Sequence, residues 1–220
     1  MLLSNLIDAY GVFTDQLAHP EGAFGDVISD YMNASFNNVN HWALQLMAVQ
    51  ADENILELGF GAGHCIQRLV SDTQANHIVG LDNSALMVAK ATALNQVAIQ
   101  QGRVSLVEGD VRQLPHFDHM FSKVVAINTT MYWHYRQMPG ILKNIRNTLV
   151  PGGSFYIIYQ RHIERFVQGG CHPEFKEYFK LLQKAGFIDL KAKAQNTELL
   201  EPDVKTVGLA VIGTNPIFAK

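Results

Sequence analysis

In the stretch Asn54-Ile55-Leu56-Glu57-Leu58-Gly59-Phe60-Gly61-Ala62-Gly63-His64, an apolar run gives way to glycines at alternate positions. Ile55, Leu56 and Leu58 read as a buried strand, and Cys65, Ile66, Leu69 and Val70 continue at helical spacing from about Gly63. Gly59, Gly61 and Gly63 let the backbone turn tightly and leave no β-carbons above it, so a ligand can lie against the main chain at the strand's carboxyl end. The amides that open the following helix supply donors at the same place. A dinucleotide fingerprint needs Gly-x-Gly-x-x-Gly. With its first two glycines on Gly59 and Gly61, its third falls on His64, where close helix packing would be obstructed.

On the carboxyl side of this turn, strands and helices alternate, the pattern of a parallel sheet with crossover helices. His77 to Asp82 reads as a second strand ending in a carboxylate. Ser84 is placed to cap a helix that carries Leu86, Met87, Ala89, Ala93 and Leu94, runs to about Gln101 and closes at Gly102. Val104 to Asp110 reads as the third strand, Lys123 to Asn128 as the fourth and Phe155 to Gln160 as the fifth. The helix between the last two holds Ile141, Leu142, Ile145 and Leu149 and ends at Pro151-Gly152-Gly153. Arg161 to Cys171 is irregular and polar, with Gly169-Gly170 inside it, and Glu174 to Ala185 is helical up to Gly186. Ile188 to Ala194 and Thr206 to Gly213 read as an antiparallel pair joined around Glu201-Pro202-Asp203.

Ahead of the first strand, Leu3, Leu6, Ile7 and Tyr10 share one helical face. His19-Pro20-Glu21-Gly22-Ala23-Phe24-Gly25 is a turn-rich break, and a short helix with Val27, Ile28, Tyr31 and Met32 follows. Asn33, Asn37, Asn38 and Asn40 then lead into a helix whose Trp42, Leu46 and Val49 pack onto the sheet. Residues 1–50 are expected to form a helical cap over the pocket, and 51–220 one compact domain.

The chain has 220 residues, 48% of them hydrophobic, enough for a sizeable core. A net charge of −3 gives no basic surplus to gather phosphates, so a nucleic-acid partner is not expected. Cys65 and Cys171 offer neither a disulfide framework nor metal-ligand spacing, and the histidines are too scattered for a metal site. Met1 to Phe13 lacks a basic start and a cleavage site, and no apolar run is long enough to span a membrane. A cytoplasmic protein without membrane insertion is expected.

Two carboxylates carry the binding chemistry. Asp82, about twenty residues past the glycine turn, can accept both hydroxyls of a ribose. In Glu108-Gly109-Asp110-Val111-Arg112-Gln113-Leu114-Pro115, Asp110 can take an adenine amino group while the Val111 amide donates to the neighbouring ring nitrogen. After the fourth strand, Asn128-Thr129-Thr130-Met131-Tyr132-Trp133-His134-Tyr135 forms an aromatic wall suited to a cationic sulfur, each cation–π contact contributing roughly 0.5 to 2 kcal/mol.

Glu57, Gly59, Gly61 and Gly63 together resemble the acid-x-Gly-x-Gly-x-Gly signature of class I S-adenosylmethionine-dependent methyltransferases. The Gly109-Asp110 to Leu114-Pro115 element is similar to the one common in these enzymes, with Ser122 where many relatives carry an acid. The reach from Asp52 to Tyr159 resembles the type 11, ubiquinone/menaquinone-methyltransferase-like, small-molecule group. Pro20, Gly22 and Gly25 before Met32-Asn33 look like the cap of bacterial members that carry Tyr-Phe-Trp after the fourth strand, where this chain has Met131-Tyr132-Trp133. The resemblance implies an α/β fold: a doubly wound, Rossmann-like, mostly parallel sheet of seven strands with the last antiparallel. It implies that S-adenosyl-L-methionine, leaving as S-adenosyl-L-homocysteine, is held by Glu57, Gly59, Gly61, Gly63, Asp82, Asn83, Met87, Asp110, Val111 and Asn128. Glu57 would order the glycine loop and approach the methionine end through a water.

Methyl transfer to a small-molecule acceptor then needs alignment in a dry pocket above all. Where the acceptor is a hydroxyl, His134 is the first candidate base, ahead of His162 and His172, and Tyr132 lies beside it. Asn128-Thr129-Thr130-Met131 lacks the Pro-Pro-aromatic element of many amide and exocyclic nitrogen methylators, and no cysteine follows a proline as a cytosine-C5 enzyme would need. Two rivals are a non-catalytic S-adenosylmethionine binder, whose aromatics would fill the acceptor space, and a nicotinamide-dependent oxidoreductase, disfavoured by His64 and Asp110.

Overall fold

A computed structural model describes residues 12–160, 175–198 and 205–217. After a helical stretch at 12–18 come α1 (Gly22–Met47), β1 (Asn54–Leu58), α2 (His64–Asp72), β2 (His77–Asp82), α3 (Ala85–Leu94), α4 (Gln96–Gln100) and β3 (Val104–Glu108). Then follow β4 (Phe121–Ile127), α5 (Met138–Thr148), β5 (Leu149–Gln160), α6 (Phe175–Lys184), β6 (Ile188–Glu198) and β7 (Lys205–Thr214). The strands form one sheet in the order β3-β2-β1-β4-β5-β7-β6. The first five pair in parallel, and β7 runs antiparallel to both β5 and β6.

Alternation along β1 and β4 sorts their side chains to two faces. Leu56, Leu58, Val124 and Ala126 pack with Ile141, Leu142 and Ile145 of α5 and Tyr178 and Leu182 of α6. Ile55, Val125 and Ile127 pack with Trp42 and Met47 of α1 and Ile66 and Leu69 of α2. Chain order reverses direction between β1 and β4, the place where open α/β sheets leave a ligand crevice at the strands' carboxyl ends.

Where the structure departs from the sequence expectation, local packing is the reason. The two short helices expected before β1 are one helix, α1, and Asn33, Asn38 and Asn40 lie inside it. Asparagine costs a few tenths of a kcal/mol in a helix interior, which burial of Ile28, Val39, Trp42 and Met47 outweighs. Trp42 is core, as expected, while Val27 and Tyr31 are exposed. The helix expected to reach Gln101 is interrupted at Asn95, whose side-chain amide donates to the carbonyls of Ala91 and, back in the glycine turn, Gly63. Pro151-Gly152-Gly153 does not separate helix from strand. The chain enters β5 at Leu149, and the Asn215 amide holds the Leu149 and Val150 carbonyls. The final pair extends further than expected, over 188–198 and 205–214. The helix expected around Leu3 to Tyr10, the Arg161 to Cys171 segment and the Glu201-Pro202-Asp203 loop lie outside the described residues.

Candidate functional site

The glycine turn joins β1 to α2, and its three glycines answer to three different neighbours. A β-carbon at Gly59 would sit 2.3 Å from Oγ1 of Thr129, which donates to the Gly59 carbonyl at 3.3 Å. At Gly63 (φ +83°) it would sit 2.7 Å from the Ala91 β-carbon, so this glycine lets α2 pack against α3. That is the role of the third glycine in a dinucleotide turn, met here one residue earlier. At Gly61 (φ +54°) a β-carbon would meet no protein atom within 4 Å. Gly61 alone of the three is open shelf.

Above it lies a cavity of about 500 Å³, within the range of small-ligand sites. Its walls include Glu57, Gly59, Gly61, Asp82, Asn83, Met87, Asp110, Val111, Asn128, Tyr132 and His134. Of the residues singled out in the sequence, Gly63 stands behind the wall, and His162 and His172 lie outside the described residues. Leu17, Pro20, Met32, Asn33 and Asn40 also line it, so the amino-terminal segment shares the same cavity. Ser84 caps α3, accepting from the Met87 amide at 3.3 Å, and its hydroxyl donates to the Pro20 carbonyl at 2.6 Å. Lys90 reaches Asp26 at 2.8 Å. These two bonds fasten the cap to α3.

The acids stand in different environments. Asp82 is 8% exposed and lines the cavity; its two oxygens accept from the amides of Gly61 and Ser84, both at 2.9 Å, and the Asn83 amide also bonds the carboxylate. Burial raises its pKa, against the pull of those amides and of His19. Glu57 is fully enclosed, and burial pushes it up to about 8, against a hydrogen bond from Cys65. Its Oε2 has no partner among the described residues. Burial likewise raises the Cys65 thiol. Asp110 is half-exposed and held below the usual carboxylate range by Arg112.

On the far wall, Asn128 (φ +52°) exchanges hydrogen bonds with Gln160: its Nδ2 donates to Oε1 at 3.1 Å, and the Gln160 amide donates to its Oδ1 at 2.8 Å. Asn128 therefore fixes the corner between β4 and β5. Tyr132 is half-buried, and burial raises its phenol well above the ordinary value. Trp133 is 7% exposed and packs into the core while edging the cavity. The aromatics do not fill the space beside the shelf. His134 is exposed, and its Nδ1 accepts from the Arg136 amide at 3.3 Å.

Sequence reasoning missed Thr129, Arg112 and the cavity-facing His19, Asn33, Asn40 and Gln137. Thr129 and Arg112 sit beside named positions and could have been found there. A cap was expected from the sequence, but which of its residues reach the cavity was not legible, because that depends on the tertiary fold. Among the described residues no three histidine, cysteine or acidic side chains gather as a metal site, and no helix is long and apolar enough to cross a membrane.

The open shelf at Gly61, the cavity-lining carboxylate of Asp82 and the unpartnered buried oxygen of Glu57 fit a nucleoside carrying a cationic amino-acid tail. The family described as methyltransferase domain matches residues 55–153. An uncharacterized methyltransferase of Bacillus subtilis, YdaC, is 26% identical over 190 residues, covering 84% of this chain and 97% of that one. The sterol 24-C-methyltransferase erg6 of Aspergillus fumigatus is 31% identical over 115 residues, 52% of this chain and 30% of its own length. The chain thus spans nearly all of the first relative and under a third of the second. Phosphoethanolamine N-methyltransferase 2 of Haemonchus contortus, solved with phosphomonomethylethanolamine and S-adenosylhomocysteine, superposes with a TM-score of 0.70 at 16% identity, covering 93% of this chain and 60% of that one.

The family match over residues 55–153 and the methyltransferase relative that spans most of the chain support a class I S-adenosylmethionine-dependent methyltransferase. The type 11 group fits, and the same findings support S-adenosylmethionine as the cofactor.

Proposed function

We propose that this enzyme transfers the methyl group directly to a small, apolar or aromatic acceptor in a pocket that the amino-terminal cap, residues 1–50, keeps dry. The observation that carries this reading is one cavity lined together by the open shelf at Gly61, by Tyr132, Trp133 and His134, and by the amino-terminal Leu17, Pro20 and Met32. The acceptors named for the relatives, a sterol and phosphoethanolamine, are both small molecules, which supports the class.

In this reading Asp82 takes the ribose hydroxyls, Asp110 and the Val111 amide the adenine edge, and Asn83 and Met87 flank the nucleoside. Gly59 and Gly61 supply the floor, Gly63 its backing, and Asn128 holds the corner. Glu57 serves the amino-acid end, where burial raises its pKa to about 8 and favours the neutral acid at physiological pH. Bound S-adenosylmethionine supplies a methyl group already activated on a sulfonium. Tyr132 offers that cation an aromatic face, and His134 can take the proton of a hydroxyl acceptor. Leu17, Met32 and Ile141 exclude water, which strengthens each polar contact inside. A soluble, cytoplasmic setting fits this chemistry.

The test is a metabolite panel incubated with the enzyme and methyl-labelled cofactor. Label should pass to a low-molecular-weight, apolar or aromatic product. Transfer only to protein or nucleic acid would sink the proposal.

A further inference from the structure

We propose that Arg112 is a latch that competes with the cofactor's adenine for Asp110 and so lowers the enzyme's affinity for its nucleoside. Asp110 and Arg112 bracket Val111 at the short 3-10 turn after β3, and all three line the cavity. The Arg112 backbone amide donates to Oδ1 of Asp110 at 2.8 Å, and its Nε donates to Oδ2 at 2.6 Å. Nη2 pairs with the same Oδ2. Three donors from one residue thus occupy three of the four acceptor positions of the carboxylate, leaving one on Oδ1.

The inference rests on the reading above, in which Asp110 takes the adenine amine. A neutral amine meeting a carboxylate already neutralised by guanidinium gains less than one meeting a free carboxylate, because charge-assisted bonds weaken as their charge is shared. The depressed pKa of Asp110 reflects the same pairing, its largest cause being the Arg112 side chain. Both side chains reach solvent, at 57% and 35% exposure, so the guanidinium can swing clear without opening the fold. A latch that retakes Asp110 as adenine departs also favours exchange of product for fresh cofactor.

The experiment is calorimetric titration of S-adenosylhomocysteine, a ligand without net charge, into the full-length protein. R112A and R112Q should bind it about two- to fivefold more tightly than wild type, the scale of an exposed ion pair. High salt, which weakens the pair in the wild type, should narrow the gap. The analogue carrying hydrogen in place of the adenine amino group should show no gain. A gain in affinity is not what a structural lesion produces. Equal or weaker binding by both variants, or an equal gain for the deamino analogue, would overturn the latch. D110N separates the two levels: it should lose affinity for S-adenosylhomocysteine, and unchanged binding by D110N would overturn the adenine role of Asp110 itself.

Discussion

Glu57 and Asp82 lie in one cavity, yet they are held there by different physics. Glu57 has an unpartnered oxygen in a fully enclosed site, and its pKa is pushed from 4.5 to about 8. A folded-state pKa above the unfolded one means the native chain keeps a proton that the unfolded chain releases. The stability Glu57 contributes is therefore complete below about pH 4.5 and is lost as pH rises toward 8. Asp82, also raised, adds a smaller loss in the same direction at lower pH. Glu57→Gln mimics the protonated form, so in urea titrations of the cofactor-free protein it should gain on the wild type between pH 5 and pH 8, by on the order of a few kcal/mol. A constant difference across that range would show that Glu57 ionises normally. Asp82→Ala removes the acceptor proposed for the ribose hydroxyls and releases the Gly61 and Ser84 amides. Calorimetry should register a loss of cofactor affinity of about 10²-fold or more, and unchanged affinity would contradict the assignment.

At the scale of elements, the glycine turn gives a two-way contrast. Gly63→Ala must place a methyl 2.7 Å from Ala91 in a left-handed backbone, so α2 and α3 must part. Thermal melts should show a loss of about 2 kcal/mol or more, with cofactor affinity following stability. The β-carbon added by Gly61→Val meets no protein atom within 4 Å, so its stability cost should come mainly from the left-handed backbone, about 1–2 kcal/mol, while the side chain fills the shelf and blocks binding. Strands β1 to β5, the cap on α3 and the acids at strand ends were legible in the sequence, because apolar runs, Ser84 and the turn glycines act locally. What stayed hidden depended on distant partners. Asn95 interrupts its helix to hold Gly63, and Leu149 is drawn into β5 beside Phe121 and Asn215. The asparagines of α1 read as helix breaks because local propensity does not see Trp42 and Met47 being buried on the sheet.

Across the whole molecule, the cap and the nucleoside site are joined through one residue. Pro20 accepts from the Ser84 hydroxyl, the Ser84 amide donates to Asp82, and Asp82 accepts from Gly61 on the shelf. Filling the site should therefore tighten the cap. Amides of residues 16–19 and of the first turns of α1 should exchange with deuterium about tenfold more slowly when S-adenosylhomocysteine is added. Ser84→Ala should reduce that protection and cost about 1 kcal/mol of stability through the lost cap. Exchange in 16–19 unaffected by ligand would mean that the cap is a packed appendage and not a lid. The most direct measurement is a crystal structure with S-adenosylhomocysteine bound. The nucleoside should lie on the backbone at Gly61, with both ribose hydroxyls within hydrogen-bond distance of Asp82 and the adenine edge at Asp110 and Val111. A nucleoside bound elsewhere, or Asp82 turned away from the ribose, would contradict the site described above.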